Sequence, residues 1–188
     1  MSGGIFRAEK FFLRGKQNGP EGRLIGGKGG KPLTEETYLQ RADRVKTRLY
    51  RAALMYLGSE SMAVDAVDEA VYKGLRGCKK LREEEYLETW LTRILINVCK
   101  DELRRRKRET AWHALPETAV EEFDALPLRE AILRLPEELK SVVILRYFTG
   151  LTQEETARAL DIPRGTVSTR QRRALELLRL ELSEEVEA

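Results

Sequence analysis

The chain has 188 residues, 35% of them charged and 7% aromatic, a balance that suits charged helices rather than a β-sandwich. Cys78 and Cys99 lack Cys-x-x-Cys spacing and His113 is the only histidine, which argues against a zinc site or a disulfide framework and for two buried thiols in a reducing cytosol. The net charge of +3 hides an uneven distribution: Lys and Arg stand against Asp and Glu as 7 to 2 over residues 1–34, 17 to 13 over 35–108, 0 to 5 over 109–126 and 10 to 11 over 127–188.

Residues 1–33 are rich in Gly and Lys, a composition that buries little, and read as a loose basic arm. Charges interrupt Ile5, Phe6, Phe11, Phe12 and Leu13, so no signal peptide is expected, and no apolar run approaches a membrane span of roughly 18 residues. Thr34 is placed to cap a long helix to Leu57, with Tyr38, Ala42, Val45, Leu49, Ala53 and Tyr56 on one stripe and Gly58 as its stop. Ser59 is placed to cap a second helix to about Arg76. It buries residues from Met62, Ala63, Ala66, Val67, Ala70 and Val71 and exposes Asp65, Asp68 and Glu69. Cys78 to Glu84 is a polar connection. A third helix begins near Glu85, turns Leu87, Leu91, Ile94, Leu95 and Val98 inward and ends in five consecutive cations, Arg104 to Arg108. The dipole favours positive charge there, but the cations repel one another and a polyanion relieves that repulsion.

Residues 109–126, with Pro116, Trp112 and an acidic cluster, read as a linker. Two helices then flank Pro136. The first turns Leu128, Ala131, Ile132 and Leu135 inward, and the second has Val142, Leu145 and Phe148 as its core set, with Gly150 as terminator.

The stretch Leu151 to Arg173 reads as a helix-turn-helix. Thr152 and Glu155 form a capping box, Ala157 is small where a second helix crosses, and Asp161, Ile162 and Pro163 break the first helix. Leu160, Ile162 and Val167 lock the pair. The second helix, starting near Gly165, presents Arg164, Thr166, Ser168, Thr169, Arg170, Arg172 and Arg173, types that reach base edges and phosphates in a major groove. Ala174, Leu175, Leu178 and Leu182 extend it, and the acidic end is expected to fray.

In this order the motifs resemble the sigma-70 family of bacterial sigma factors, in its small two-domain extracytoplasmic-function group. Ala63 to Glu69, Trp90 to Asn97 and Asp101 to Arg105 match the family's region 2. Leu135-Pro136-Glu137, Thr152 to Glu155 and Gly165 to Arg170 match its region 4. Departures are Val64, Asp68, Ser168 and Gln171, the last replacing a common Leu on the packing stripe.

The resemblance implies an all-α fold of two small helical domains, residues 34–108 and 127–188, joined by the linker. It implies a transcription initiation factor without catalytic chemistry or cofactor, whose partners are core RNA polymerase, promoter DNA and an anti-sigma factor. Asp65, Asp68 and Glu69 would dock on a polymerase coiled coil. Lys79, Lys80, Arg93, Asn97, Lys100, Arg104 and Arg105 would line the track for the single strand of a minus-ten element. Tyr86 and Trp90 either stack on bases or pack in the core, and packing is the stronger reading. Arg164, Thr166, Ser168, Thr169, Arg170, Arg172 and Arg173 would read a minus-thirty-five element, with Arg170 and Arg173 anchoring phosphate. The expected location is the cytoplasm, at the nucleoid. Two alternatives stand beside this: a stand-alone helix-turn-helix regulator, and an adaptor that binds polymerase without directing a promoter. No nucleophile–base pair, metal cluster or phosphate loop suggests an enzyme.

Overall fold

A computed structural model describes residues 33–81, 83–110 and 126–187. The rest of the basic arm and most of the acidic linker lie outside the described residues.

Helix α1 runs Glu35–Leu57, and the Thr34 hydroxyl accepts the Thr37 amide at 3.2 Å, closing its first turn. Gly58, at φ 72°, stops it by returning its N–H to the Leu54 carbonyl. All six residues of the expected stripe are buried. Helix α2 runs Glu60–Gly77. Ser59 occupies its N-cap position without capping; its hydroxyl meets that of Ser61 at 3.2 Å instead.

The connection after α2 is less solvated than its charges suggested. Single 3-10 turns at Cys78–Lys80 and Glu84–Tyr86 frame Leu81, and both Cys78 and Leu81 are fully buried. Leu33, counted with the arm, is buried too and donates its N–H to the Leu81 carbonyl at 3.3 Å. Helix α3 follows, Leu87–Thr110, with Leu87, Leu91 and Leu95 fully buried and Ile94 and Val98 partly so. These three helices pack on one another as the first half.

In the second half, α4 spans Leu126–Arg134 and α5 spans Glu137–Val143, entered through Pro136. The last turn of α5 widens over Ile144–Phe148, where the Thr149 amide reaches back five residues to the Ile144 carbonyl at 3.2 Å. Gly150, at φ 73°, turns the chain into α6, Gln153–Leu160, and α7 runs Arg164–Glu187. One residue expected inside stands out in solvent: Leu128 is 39% exposed. At the acidic end α7 is helical to Glu187.

The halves share one apolar core, which runs from Tyr38 and Tyr56 through Leu91 and Leu95 to Ile132, Ile144, Leu145 and Leu178. Helix α1 packs on α4 and on the widened turn, and α6 packs on α3. Polar contacts tie the same seam. The Ser141 hydroxyl donates to its own helix at the Glu137 carbonyl, 2.8 Å, which leaves its oxygen to accept from the Tyr56 hydroxyl at 2.9 Å. Arg48 bonds Glu88 at 2.6 Å and the Thr149 carbonyl at 3.4 Å, and Arg129 donates to the Gly58 carbonyl.

Candidate nucleic-acid interface

The helix-turn-helix is built as its residues dictate. The Thr152 hydroxyl accepts the Glu155 amide at 3.2 Å while the Glu155 carboxylate accepts the Thr152 amide at 2.7 Å, the full capping box. Asp161 takes the left-handed conformation at φ 56° and ends α6. Ala157 and Val167 then meet Val142 in a small buried cluster, with Leu160 and Ile162 packed around it. This cluster fixes the angle between α6 and α7, and so the direction in which α7 presents its outer face.

On that face Arg164, Ser168, Thr169, Arg172 and Arg173 are exposed, and Thr166 is half-buried. The Thr169 hydroxyl is turned back to the Gly165 carbonyl at 3.0 Å, and Arg172 lies 3.8 Å from Glu176. Arg170 differs from its neighbours: it is only partly exposed and is held by the Glu138 carboxylate of α5. Beside it, Gln171 exploits the polarity that distinguishes it from a packing leucine. It accepts from Arg146 at 3.3 Å and donates to the Tyr147 hydroxyl at 3.0 Å. Arg146 also donates to the Leu151 carbonyl, and together with Arg164, Thr152 and Gln153 it borders a shallow depression at the start of α6. Sequence reading passed over Arg146, Tyr147 and Gln153 as binding candidates. The polar Gln171 on an apolar stripe was the one available signal that this corner carries a network.

The candidates of the first half divide. Asn97, Arg104 and Arg105 lie on the exposed side of α3, and Lys79 and Lys80 are exposed on the turn after α2. Lys79 pairs with Glu35 at 2.9 Å, and that hydrogen bond raises its pKa above the ordinary lysine value. Arg104 and Arg105 pair with Asp101 and Glu102 at 2.9 and 2.8 Å, so the cation run is partly balanced on its own helix. Lys100 is half-buried and pairs across the seam with Glu137 at 3.3 Å. Arg93 does not join the exposed track: it is 8% exposed, because its position on α3 falls on the side that also carries buried Thr89, Thr92 and Ile96. Trp90 is a core residue at 6% exposure. Tyr86 is half-buried, with the Arg158 guanidinium of α6 seated 5.2 Å from its ring centre.

On α2, Asp65, Asp68 and Glu69 are exposed together with Val64 and Tyr72, at 48% and 55%. Asp68 lies 3.5 Å from Lys46, and Glu69 lies 3.0 Å from Lys73. The face is acidic with two apolar side chains set into it, suited to a basic partner with an apolar ridge. Among the described residues no cluster of His, Cys, Asp and Glu could hold a metal ion, and no helix is long and apolar enough to cross a membrane.

Comparison with known proteins follows the same division. The family model for sigma-70 region 2 matches residues 42–109, and that for sigma-70 region 4 matches residues 131–180. The sigma factor SigV of Bacillus subtilis is 32% identical over 145 residues, covering 74% of this chain and 87% of that protein. The extracytoplasmic-function sigma factor SigM of Mycobacterium tuberculosis is 32% identical over 133 residues, covering 68% of this chain and 67% of its own length. Among solved structures, the sigma factor RpoE in complex with the anti-sigma factor NepR from Bartonella quintana shares the fold at a TM-score of 0.68, with 22% identity over 79% of this chain and 98% of that one. CnrH in complex with the cytosolic domain of CnrY does so at 0.62, with 19% identity over 88% and 96%. Two modules in the family's order, each folded as its motifs require, place this chain in the sigma-70 family of RNA polymerase sigma factors, within the extracytoplasmic-function group.

Proposed function

We propose that this sigma factor docks on core RNA polymerase through the α2 face of Asp65, Asp68 and Glu69, holds the minus-ten single strand along α3, and reads the minus-thirty-five duplex with α7. The observation that carries this division of labour is the pairing of two unlike surfaces on one chain: an exposed acidic and apolar face on α2, and a recognition helix whose first turns expose Arg164, Arg172 and Arg173. Electropositive side chains at a helix start suit duplex phosphate and guanine edges. The acidic face suits steering onto a basic coiled coil and is unsuited to DNA.

For the single strand, the exposed set on α3 and its preceding turn is Lys79, Lys80, Asn97, Arg104 and Arg105, and Lys100 joins it once released from Glu137. Arg93 is read as a brace inside the first half. Arg146 is added to the duplex-facing set, oriented by Gln171. The chain acts by binding and strand capture, without chemistry of its own, in the cytoplasm at the nucleoid. An anti-sigma factor is a fitting partner because it would compete for these same faces.

The test is run-off transcription with purified bacterial core polymerase on a genomic promoter library, with and without the protein. Discrete new starts that share two spaced upstream elements are the expected outcome. Polymerase association without starts would mean an adaptor. Tight duplex binding without any polymerase association would mean a conventional regulator.

A further inference from the structure

Two of the strand-track candidates, Lys79 and Lys80, stand on the turn that joins α2 to α3, and that turn is tied to the start of α1 on both sides of its middle. Before the middle, the Leu33 amide donates to the Leu81 carbonyl at 3.3 Å, and Lys79 pairs with Glu35 at 2.9 Å. After it, Glu84 pairs with Arg41 at 2.7 Å. Cys78 and Leu81 are fully buried beneath these contacts, and Leu33 is buried as well. Each flank also closes on itself: the Leu81 amide returns to the Cys78 carbonyl at 3.0 Å, and the Tyr86 amide to the Glu83 carbonyl at 3.1 Å. Three consecutive carboxylates, Glu83 to Glu85, are poor neighbours for a phosphate strand. The pair with Arg41 gives the middle one a different task.

We propose that Leu33, Glu35 and Arg41 are positioning residues for minus-ten recognition. They act through the turn rather than on the DNA, holding Cys78 to Tyr86 in one conformation so that its side chains meet an unpaired base already in place. The inference rests on the sigma-factor reading of α3 and its preceding turn given above.

A loop that orders only on binding loses part of its contact energy to that ordering, and a loose loop adapts to whichever base arrives. A turn with a buried floor and a tie at each flank does neither. A mismatched base then leaves polar groups unmet instead of being accommodated, which is where discrimination comes from. The ties differ in kind. Leu33 acts through burial and one backbone bond, whereas the two ion pairs are partly exposed and each contributes modestly. With Leu81 anchored between them, each pair has only one flank to fix. The Glu35 pair has a second consequence: it holds Lys79 towards α1, so its removal returns a cation to the strand track.

The test uses the full-length protein with core polymerase and a promoter library randomised through both elements, read by run-off transcription and sequencing. Glu35→Gln and Arg41→Gln each remove one charge of a pair, Arg41→Lys keeps it, and Arg51→Gln changes an exposed cation elsewhere on α1. Each Gln variant is expected to lower the preference at adjacent minus-ten positions by up to about fivefold, the range that a partly exposed pair spans, and the double variant by more. Minus-thirty-five preferences should hold in every variant. Total promoter use should hold in Arg41→Gln and rise in Glu35→Gln, where Lys79 is released, a split that a merely structural role would not give. Arg41→Lys should recover most of the preference, Arg51→Gln should match the wild type, and Leu33→Ala should flatten the same positions more deeply. Without polymerase, hydrogen exchange of the Leu81 and Tyr86 amides should quicken in the double variant while the urea midpoint stays within error of the wild type.

Unchanged minus-ten preferences, a uniform loss over both elements, or turn amides that exchange as in the wild type would overturn the proposal. If the wild type directs no starts, the sigma-factor reading fails and the positioning role fails with it. If the wild type directs starts and the variants discriminate as it does, the positioning role alone fails.

Discussion

Truncation of Arg173 separates anchoring from reading on the recognition helix. Arg173 is exposed two turns into α7, past the Thr166, Ser168 and Thr169 positions proposed to read base edges, and the proposal gives its guanidinium to phosphate. Neutralising one phosphate contributes about 0.9 to the slope of log affinity against log salt on duplex DNA. Over a fourfold rise in salt that is about a 3.5-fold loss of affinity per contact, and Arg173→Ala should forfeit it. The assay is anisotropy of the promoter duplex defined by run-off transcription, titrated with polymerase-bound protein at several salt concentrations. Arg173→Ala should weaken every sequence alike and flatten the slope by about one contact. Arg179→Ala, farther along the same helix and also exposed, is the control and should leave the slope unchanged. Arg170→Ala should flatten the slope as much but cost less affinity, because Arg170 must first leave Glu138. An unchanged slope for Arg173→Ala, or a loss confined to one base position, would refute the phosphate assignment.

Three further outcomes follow from the packing. At Gly74, an alanine Cβ would lie 2.9 Å from Tyr38 Cζ and 3.1 Å from Leu91 Cδ1, and Tyr38 is wholly buried and bonded to the Val71 carbonyl at 2.8 Å. Gly74→Ala should therefore destabilise by about 1–3 kcal/mol despite alanine's better helix propensity, and a variant that melts no lower than wild type would show that Tyr38 can move. Thr152→Ala removes half of the capping box and should cost about 1 kcal/mol in urea titration, with duplex binding weakened in parallel; binding weakened with stability unchanged would count against the cap. Burial holds the Cys99 thiol up at about 12 and raises the Tyr38 and Tyr56 hydroxyls above their ordinary values. Below the ordinary thiol range the two states bind these protons equally. As pH rises from there towards 12, the unfolded chain releases them first, so stability should fall by up to about 1.4 kcal/mol per pH unit for each proton. Denaturant midpoints that stay flat from neutral to strongly alkaline solution would refute that burial.

Local chemistry was legible in the sequence at most positions where a residue acts on its own or an adjacent element, Ser59 excepted. The Thr152–Glu155 box, the stripe of α1, the stop at Gly58 and the Ala157–Val167 lock all stand as their spacing required. What the sequence concealed depends on the other half. Leu128 satisfies a helical stripe, yet α4 is placed so that its first turn projects past the core. Arg93 carries a charge suited to DNA but sits on the covered side of α3, and spacing alone does not distinguish the covered side of a helix packed on two faces. The polar stretch after α2 read as a loop because only Cys78 and Leu81 are apolar, and both are anchors. Arg146 was overlooked because its partner, Gln171, lies 25 residues away on another helix.

The run Val142 to Leu145 joins these observations. A surface helix buries one stripe, yet all four of these consecutive residues are buried. Val142 serves its own half, locked with Ala157 and Val167, whereas Val143, Ile144 and Leu145 belong to the core shared with α1 and α3. Burying a branched aliphatic side chain contributes about 1.5–3 kcal/mol, so separating the halves without cover for this run would cost several kcal/mol. Thermal opening alone is then rare, and the open form is populated when something with comparable affinity prefers it. Promoter DNA qualifies, since its two elements fall to the two halves. The widened turn at Ile144–Phe148 and the Tyr56–Ser141 bond therefore lie where the two halves are held to one another.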